Sequence, residues 1–274
     1  MRRIALVALN TFREAVREKI LHNVVALSVA LLLFSIVLGD WSVFDRDGVV
    51  KSFGISIASI SALVLSIFVG IQLLQREIQR RTLFALLAKP IHRWQFVLGK
   101  WIGLMMVLGA HLLLMLSAVD LILWLINAEP GWNLLQAALM IWFEMGILSA
   151  AAVLFSTFSS PTLSSLFTAG VYVAGHLISE LDAHIEFTKA MGSFGRMPAA
   201  AQWCVEKGAK LFDLFFPDLE RFNISTTVIH GVAGAQSAHY ADLATVLSSA
   251  AYSCSWCALL LAVAALWFSK RDFI

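Results

Sequence analysis

Six apolar runs, separated by short clusters of charged and turn-forming residues, set the pattern of this 274-residue chain. They fall at about Val24–Leu38, Phe53–Leu74, Trp101–Ile126, Leu134–Phe158, Leu163–Ile178 and Asp242–Phe268. Their lengths lie near the roughly 20 residues with which a helix crosses hydrocarbon. Long uninterrupted runs of this kind disfavour a closed barrel, whose strands are short and alternate apolar with polar positions. The predicted fold is an all-α integral membrane protein with six transmembrane helices in a single domain, residues 1–274.

The connections carry their own periodicity. Residues 2–21 set Ile4, Ala8, Phe12, Ala15, Val16 and Ile20 on one helical face and Asn10, Arg13, Glu14, Arg17 and Glu18 on the other. This predicts an amphipathic helix over 1–22 that either lies in the membrane interface or begins the first span as a solvated turn. No apolar core with a small-residue cleavage site occurs there, so a removable signal peptide is not expected. Between the second and third spans, Gln75–Lys100 reads QREIQRRTLFALLAKPIHRWQFVLGK. Leu83, Leu86, Leu87 and Ile91 recur at helical spacing, basic residues crowd the start and Pro90 ends the helix, so a surface helix is expected over 75–93. The longest connection, 179–240, holds Pro198 and Pro217 and two weakly amphipathic pieces.

Composition agrees with a membrane protein: 59% of residues are hydrophobic and 14% charged, with a mean hydropathy of +0.81. The net charge of +2 says little, because orientation follows the placement of Lys and Arg across short loops. With six spans, Arg2, Arg3, Arg13, Arg17, Lys19, Arg76, Arg80, Arg81, Lys89, Arg93, Lys100, Lys270 and Arg271 share one side. That side is predicted to be cytoplasmic, with both termini and Gln75–Lys100 on it, and 179–240 external. Trp41, Trp94, Trp101, Trp132 and Trp267 stand near predicted span ends, as interfacial belts require. Nothing in the pattern marks a nucleic-acid partner; membrane lipid is the expected surroundings.

Physics alone leaves the central stretch open between a basic loop anchored on anionic lipid and a handle for a protein partner. The order Glu77, Arg81-Thr82, Leu86-Leu87, Pro90, Arg93 and Gly99-Lys100 resembles the segment between the second and third spans of type-2 ABC transporter permeases. The likeness extends over the whole chain. The run Phe216-Pro-Asp-Leu-Glu-Arg-Phe-Asn223 is similar to a pattern in the branch that includes permeases associated with multi-copper enzyme maturation. Many members carry Gly where this chain has Arg81. The resemblance implies a permease that assembles as a homodimer or with a similar chain and binds an ATP-binding cassette subunit through a coupling helix. Arg80, Arg81 and Arg93 are then candidate partners for acidic groups of that subunit. Leu83, Phe84 and Leu87 are candidates to fill its groove, and Glu77 to pair with a basic residue there or with Arg13 or Arg17.

No G-x-x-x-x-G-K-[ST] phosphate loop occurs, since Leu98-Gly-Lys-Trp101 lacks the first glycine and the hydroxyl. No cofactor is therefore expected in this chain: ATP and Mg would be bound by the partner subunit, and the chain itself is not expected to be an enzyme. Within the spans, Asp120 and Glu144 are costly and raise a functional question. They are read as polar contacts between helices, as cavity lining, or as a proton or cation relay. His111 and His176 are expected to be satisfied by Ser or backbone carbonyls. The three cysteines are too few for a disulfide framework. Cys254 and Cys257 are expected to be core residues, and no metal site is predicted.

The external His184, Glu186, His230 and His239 lack any hydrolase or metal spacing. Phe212, Leu214, Phe215 and Phe216 suit interfacial anchors. The expected function is the permease of an exporter in the inner, cytoplasmic membrane, with lipid-like or amphiphilic cargo favoured by the scarcity of charge in the spans. Two other readings stand beside it: an anchor that couples the ATPase to an external accessory protein without moving cargo, and a proton-coupled carrier using Asp120 and Glu144.

Overall fold

The computed structural model describes residues 2–41, 46–79, 92–127, 132–191, 214–223 and 243–270, with single positions at 198, 202, 205, 207, 208 and 212. These form α1 (Arg2–Val16), α2 (Lys19–Trp41), α3 (Arg46–Gln79), α4 (Arg93–Leu125), α5 (Trp132–Phe158), α6 (Pro161–Ala190), a 3-10 turn at Glu220–Phe222 and α7 (Leu243–Lys270). No strand occurs among the described residues. Five helices are long and apolar enough to cross a membrane: Lys19–Trp41, Arg46–Gln72, Trp94–Leu125, Leu134–Phe158 and Leu243–Ser269. The fifth expected run lies in α6, which is 30 residues long. Ser164, Ser165, Thr168, Tyr172 and His176 dilute its apolar content, and α6 is not one of the five.

Two boundaries differ from the sequence reading. Helix α3 continues to Gln79, so Gln75 is in its closing turns and does not open a separate surface helix. Helix α4 begins at Arg93, which places Gly99 and Lys100 inside it and not at the turn into it.

The core is built on α5, whose apolar residues are distributed on all sides, the pattern of a helix with neighbours all round. Every residue from Glu144 to Val153 is buried. Helix α5 packs most extensively against α7 and α3, and also touches α4 and α6. Close approach is helped by small residues whose hydroxyls bond back to their own helix, so they present no unmet polar atom: Ser149 donates to Gly146 O at 2.9 Å, Ser156 to Val153 O at 2.7 Å and Thr157 to Leu154 O at 2.6 Å. Helix α2 is peripheral. It leans on α3 along Ser28, Leu32, Ser35 and Gly39 and exposes Leu27, Leu31, Leu33, Phe34 and Val37.

At one end of the bundle α3 stops and α4 starts, and Phe96 of α4 stacks on Phe268 of α7 with ring centroids 6.0 Å apart. We call this the proximal end. Here α1 packs along α4, burying Ala8, Thr11 and Ala15. The two backbones meet at glycine: a Cβ on Gly103 would fall 2.5 Å from Thr11 Cβ and 2.7 Å from Ala8 O, and one on Gly99 would fall 2.8 Å from Val7 Cβ. Helix α1 therefore rides on a protein groove through its small residues. Its larger apolar residues Leu6, Leu9 and Val16 remain exposed.

Overpacking of this kind costs typically about 1–3 kcal/mol. Gly103→Val is accordingly expected to lower the thermal unfolding midpoint of the detergent-solubilised chain by several degrees. Gly170→Ala, where nothing lies within 4 Å, should leave the midpoint unchanged or raise it slightly.

Candidate functional site: an acidic cavity under a docked turn

Of the residues proposed to meet an ATP-binding subunit, Arg80, Arg81, Leu83, Phe84 and Leu87 lie outside the described residues. Glu77 is in α3 and Arg93 opens α4, and nothing further is described of their side chains. The two helix ends that flank this segment are both fastened. The buried Gln75 amide donates to Ser156 O at 3.1 Å and to Ser159 O at 2.7 Å, clipping the end of α3 to the end of α5. These are carbonyls of a helix C-terminus, which lack intrahelical donors. On the other flank, Lys100 is only 3% exposed and its Nζ lies 3.5 Å from Glu14 Oε2 of α1 and 5.9 Å from the Phe96 ring centroid. The positive-inside count treated Lys100 as a loop charge, whereas here its stem is buried between α1 and α4 and its charge is paired.

At the distal end, the run Phe216–Asn223 turns back into the bundle. Leu219 and Phe222 are fully buried. Leu219 N–H donates to Gly175 O at 3.2 Å, and Asp218 N–H to the Tyr252 hydroxyl at 2.9 Å, so the segment is tied to α6 and α7 through its backbone. Gly175 is required by this approach, because a Cβ there would fall 2.6 Å from both Leu219 Cγ and Pro217 O. Arg221 lies over the Tyr252 ring, 5.3 Å from its centroid, and the Asn223 amide donates to Glu220 Oε1 at 2.7 Å.

Beneath this turn is a cavity of about 280 Å³. Helix α3 contributes Ser56 and Ser59, α5 contributes Glu144, α6 contributes Tyr172 and His176, and the docked run closes it with Phe222 and Asn223. Glu144 is 5% exposed, and its Oε1 has no hydrogen-bond partner among the described residues. His176 Nε2 stands 3.7 Å from Glu144 Oε1 and 3.8 Å from Glu220 Oε2, between two carboxylates but beyond hydrogen-bond length of either. Its Nδ1 lies 3.1 Å from Tyr172 O, so the ring proton is assigned there.

Asp120 is half-buried on α4 and does not line this cavity, so the two span carboxylates are not brought together. His111 is paired through Nε2 with Ser61 Oγ at 2.7 Å, joining α4 to α3 as an internal polar contact. Cys254 is exposed and Cys257 buried, and Cys257 Sγ lies 3.9 Å from Ser253 Oγ. The sequence reading did not single out Tyr172, and it saw Glu220 only as part of a pattern. The four-residue spacing of Tyr172 and His176, which puts both on one face of a helix, was the signal available for that face.

The docked run predicts its own sensitivity. Gly175→Val should expel Leu219 and Phe222 from the bundle, read as at least about a tenfold rise in amide exchange at Leu219. Unchanged exchange would contradict the close approach.

No curated protein matches the chain. A sequence-family description, "ABC-2 family transporter protein", matches residues 38–273, from the end of α2 through α7 and the docked run. With that match over most of its length and its array of apolar helices, the chain belongs to the ABC-2 family of transporter proteins and is a membrane-spanning permease subunit of an ABC transporter.

Proposed function

We propose that this permease is the exporter type, working in the cytoplasmic membrane as a pair of similar chains, each engaged by an ATP-binding subunit at residues 80–93. Helix α6 is the sixth span: 30 residues rise about 45 Å, and six spans put both termini on the cytoplasmic side, where Lys and Arg concentrate. Arg80, Arg81 and Arg93 meet acidic groups of the ATPase, and Leu83, Phe84 and Leu87 fill its groove.

The observation that carries this reading is the bracing on both sides of the segment. A force applied at residues 80–91 reaches α5 through Gln75 and its bonds to Ser156 and Ser159. It reaches α1 through α4, by Lys100 and the glycine contacts. A loop that served only to rest on lipid would have no use for such fastening. An ATPase stroke delivered there has a stiff path into the helix that organises the core. Amphiphilic cargo is favoured because the helices expose apolar faces and Glu144 is the one acidic group among the described buried residues of the spans.

Charge reversal at Arg80→Glu together with Arg81→Glu is expected to abolish co-purification with the ATP-binding subunit while the chain still inserts in the membrane. Assembly that survives the double reversal would refute the docking assignment. Membrane insertion, checked by fractionation, separates this from a folding failure.

A further inference from the structure

The cavity under the docked turn presents acceptors to one another. With the His176 ring proton held at Nδ1 by Tyr172 O, Nε2 of the neutral ring carries a lone pair. It faces Glu144 Oε1 at 3.7 Å and Glu220 Oε2 at 3.8 Å, and an ionised carboxylate only accepts. Protonating His176 would supply one N–H for two oxygens, both too distant to bond it well. Glu144, 5% exposed and without a hydrogen-bond partner at Oε1 among the described residues, is costly to ionise so deep in the protein unless a cation reaches that oxygen.

What the arrangement lacks is a cation with several donors. We infer that the cavity formed by α3, α5, α6 and Phe222-Asn223 binds the protonated primary amine of a membrane amphiphile. One ammonium carries three N–H groups, which Glu144, His176 Nε2 and the neighbouring Glu220 can accept, and its charge lowers the cost of ionising a buried carboxylate. A volume of about 280 Å³ suits an organic headgroup. Among the described residues no three His, Cys, Asp or Glu side chains are arranged to hold a metal ion.

The route of entry points to a membrane-borne ligand. The α3 wall of the cavity, from Ile55 to Ile60, belongs to a candidate span. On that helix Ile60 is 60% exposed and Phe53 44%. An acyl chain can lie along this apolar face while its amine reaches Glu144. This inference deepens the permease reading and takes from it only that the chain lies in a bilayer.

The test uses the full chain, without any ATPase, in nanodiscs of phosphatidylcholine, whose headgroup has no N–H. Radiolabelled dodecylamine, its uncharged analogue N-dodecylacetamide and short-chain butylamine are compared, with empty nanodiscs subtracted. Dodecylamine is expected to bind saturably at least about tenfold more tightly than the acetamide. Glu144→Gln and Glu220→Gln should each reduce that preference several-fold. Equal affinity for amine and acetamide would overturn the proposal, as would a preference that survives in both variants. Butylamine binding as tightly as dodecylamine would overturn the membrane source. If Glu144→Gln fails to insert, Glu220→Gln, which lies on the docked turn and outside the long helices, decides the outcome. Because no ATPase is present, loss of docking at residues 80–93 cannot produce any of these results.

Discussion

The complete burial of α5 between Glu144 and Val153 is the constraint on which the rest of this bundle depends. In a bilayer the lipid is as apolar as leucine, so helices gain little from hiding greasy surface and associate through close packing and internal hydrogen bonds. Helix α5 meets that condition with Gly146, Ser149, Ala150, Ala151 and Ala152, whose small side chains let α3, α4 and α7 approach together. The cross-links then converge on it. Trp101 of α4 donates its indole N–H to Gly146 O at 3.2 Å and to Ser149 Oγ at 3.1 Å. Trp142 of α5 donates to Met105 O of α4 at 3.0 Å, and Ser253 of α7 donates to Phe143 O at 2.8 Å. Each of these bonds ties a neighbouring helix to α5.

One central post touches both ends of the molecule. Its C-terminal carbonyls hold Gln75, and its middle carries Glu144 into the distal cavity. The helix that fastens the proximal end is thus also the helix that shapes the distal cavity.

Much of the architecture was legible in the residues. Apolar run length located five spans, and the turns at Asn127 and Ser159-Ser160 fall where the sequence has Pro-Gly and Ser-Pro signals. His111 found the serine partner expected of a core histidine. Other features were hidden for physical reasons. Hydropathy averages over a window, so it placed Lys100 and Gly99 in a connection, although a long basic stem packed between two helices is compatible with helix. The packing face of α1 was legible in part: Ala8 and Ala15 are on the apolar face expected, whereas Thr11 is buried and Val16 exposed because the contact follows the shape of the facing Gly99 and Gly103. The acidic cavity is lined by Glu144 and His176, with Glu220 beside His176, residues far apart in sequence that come from three elements. No local spacing could announce it, and Asp120, the other span carboxylate, does not line it.

The docking of Phe216–Asn223 has a last consequence, for how this connection tolerates change in length. By fixing its middle to Gly175 and Tyr252, the chain divides the passage from α6 to α7 into two separately closed connections, 192–215 and 224–242. Insertions or deletions on either side of the docked run can then accumulate without disturbing what lies beneath it, while a single residue added within the run would shift Leu219 away from its glycine.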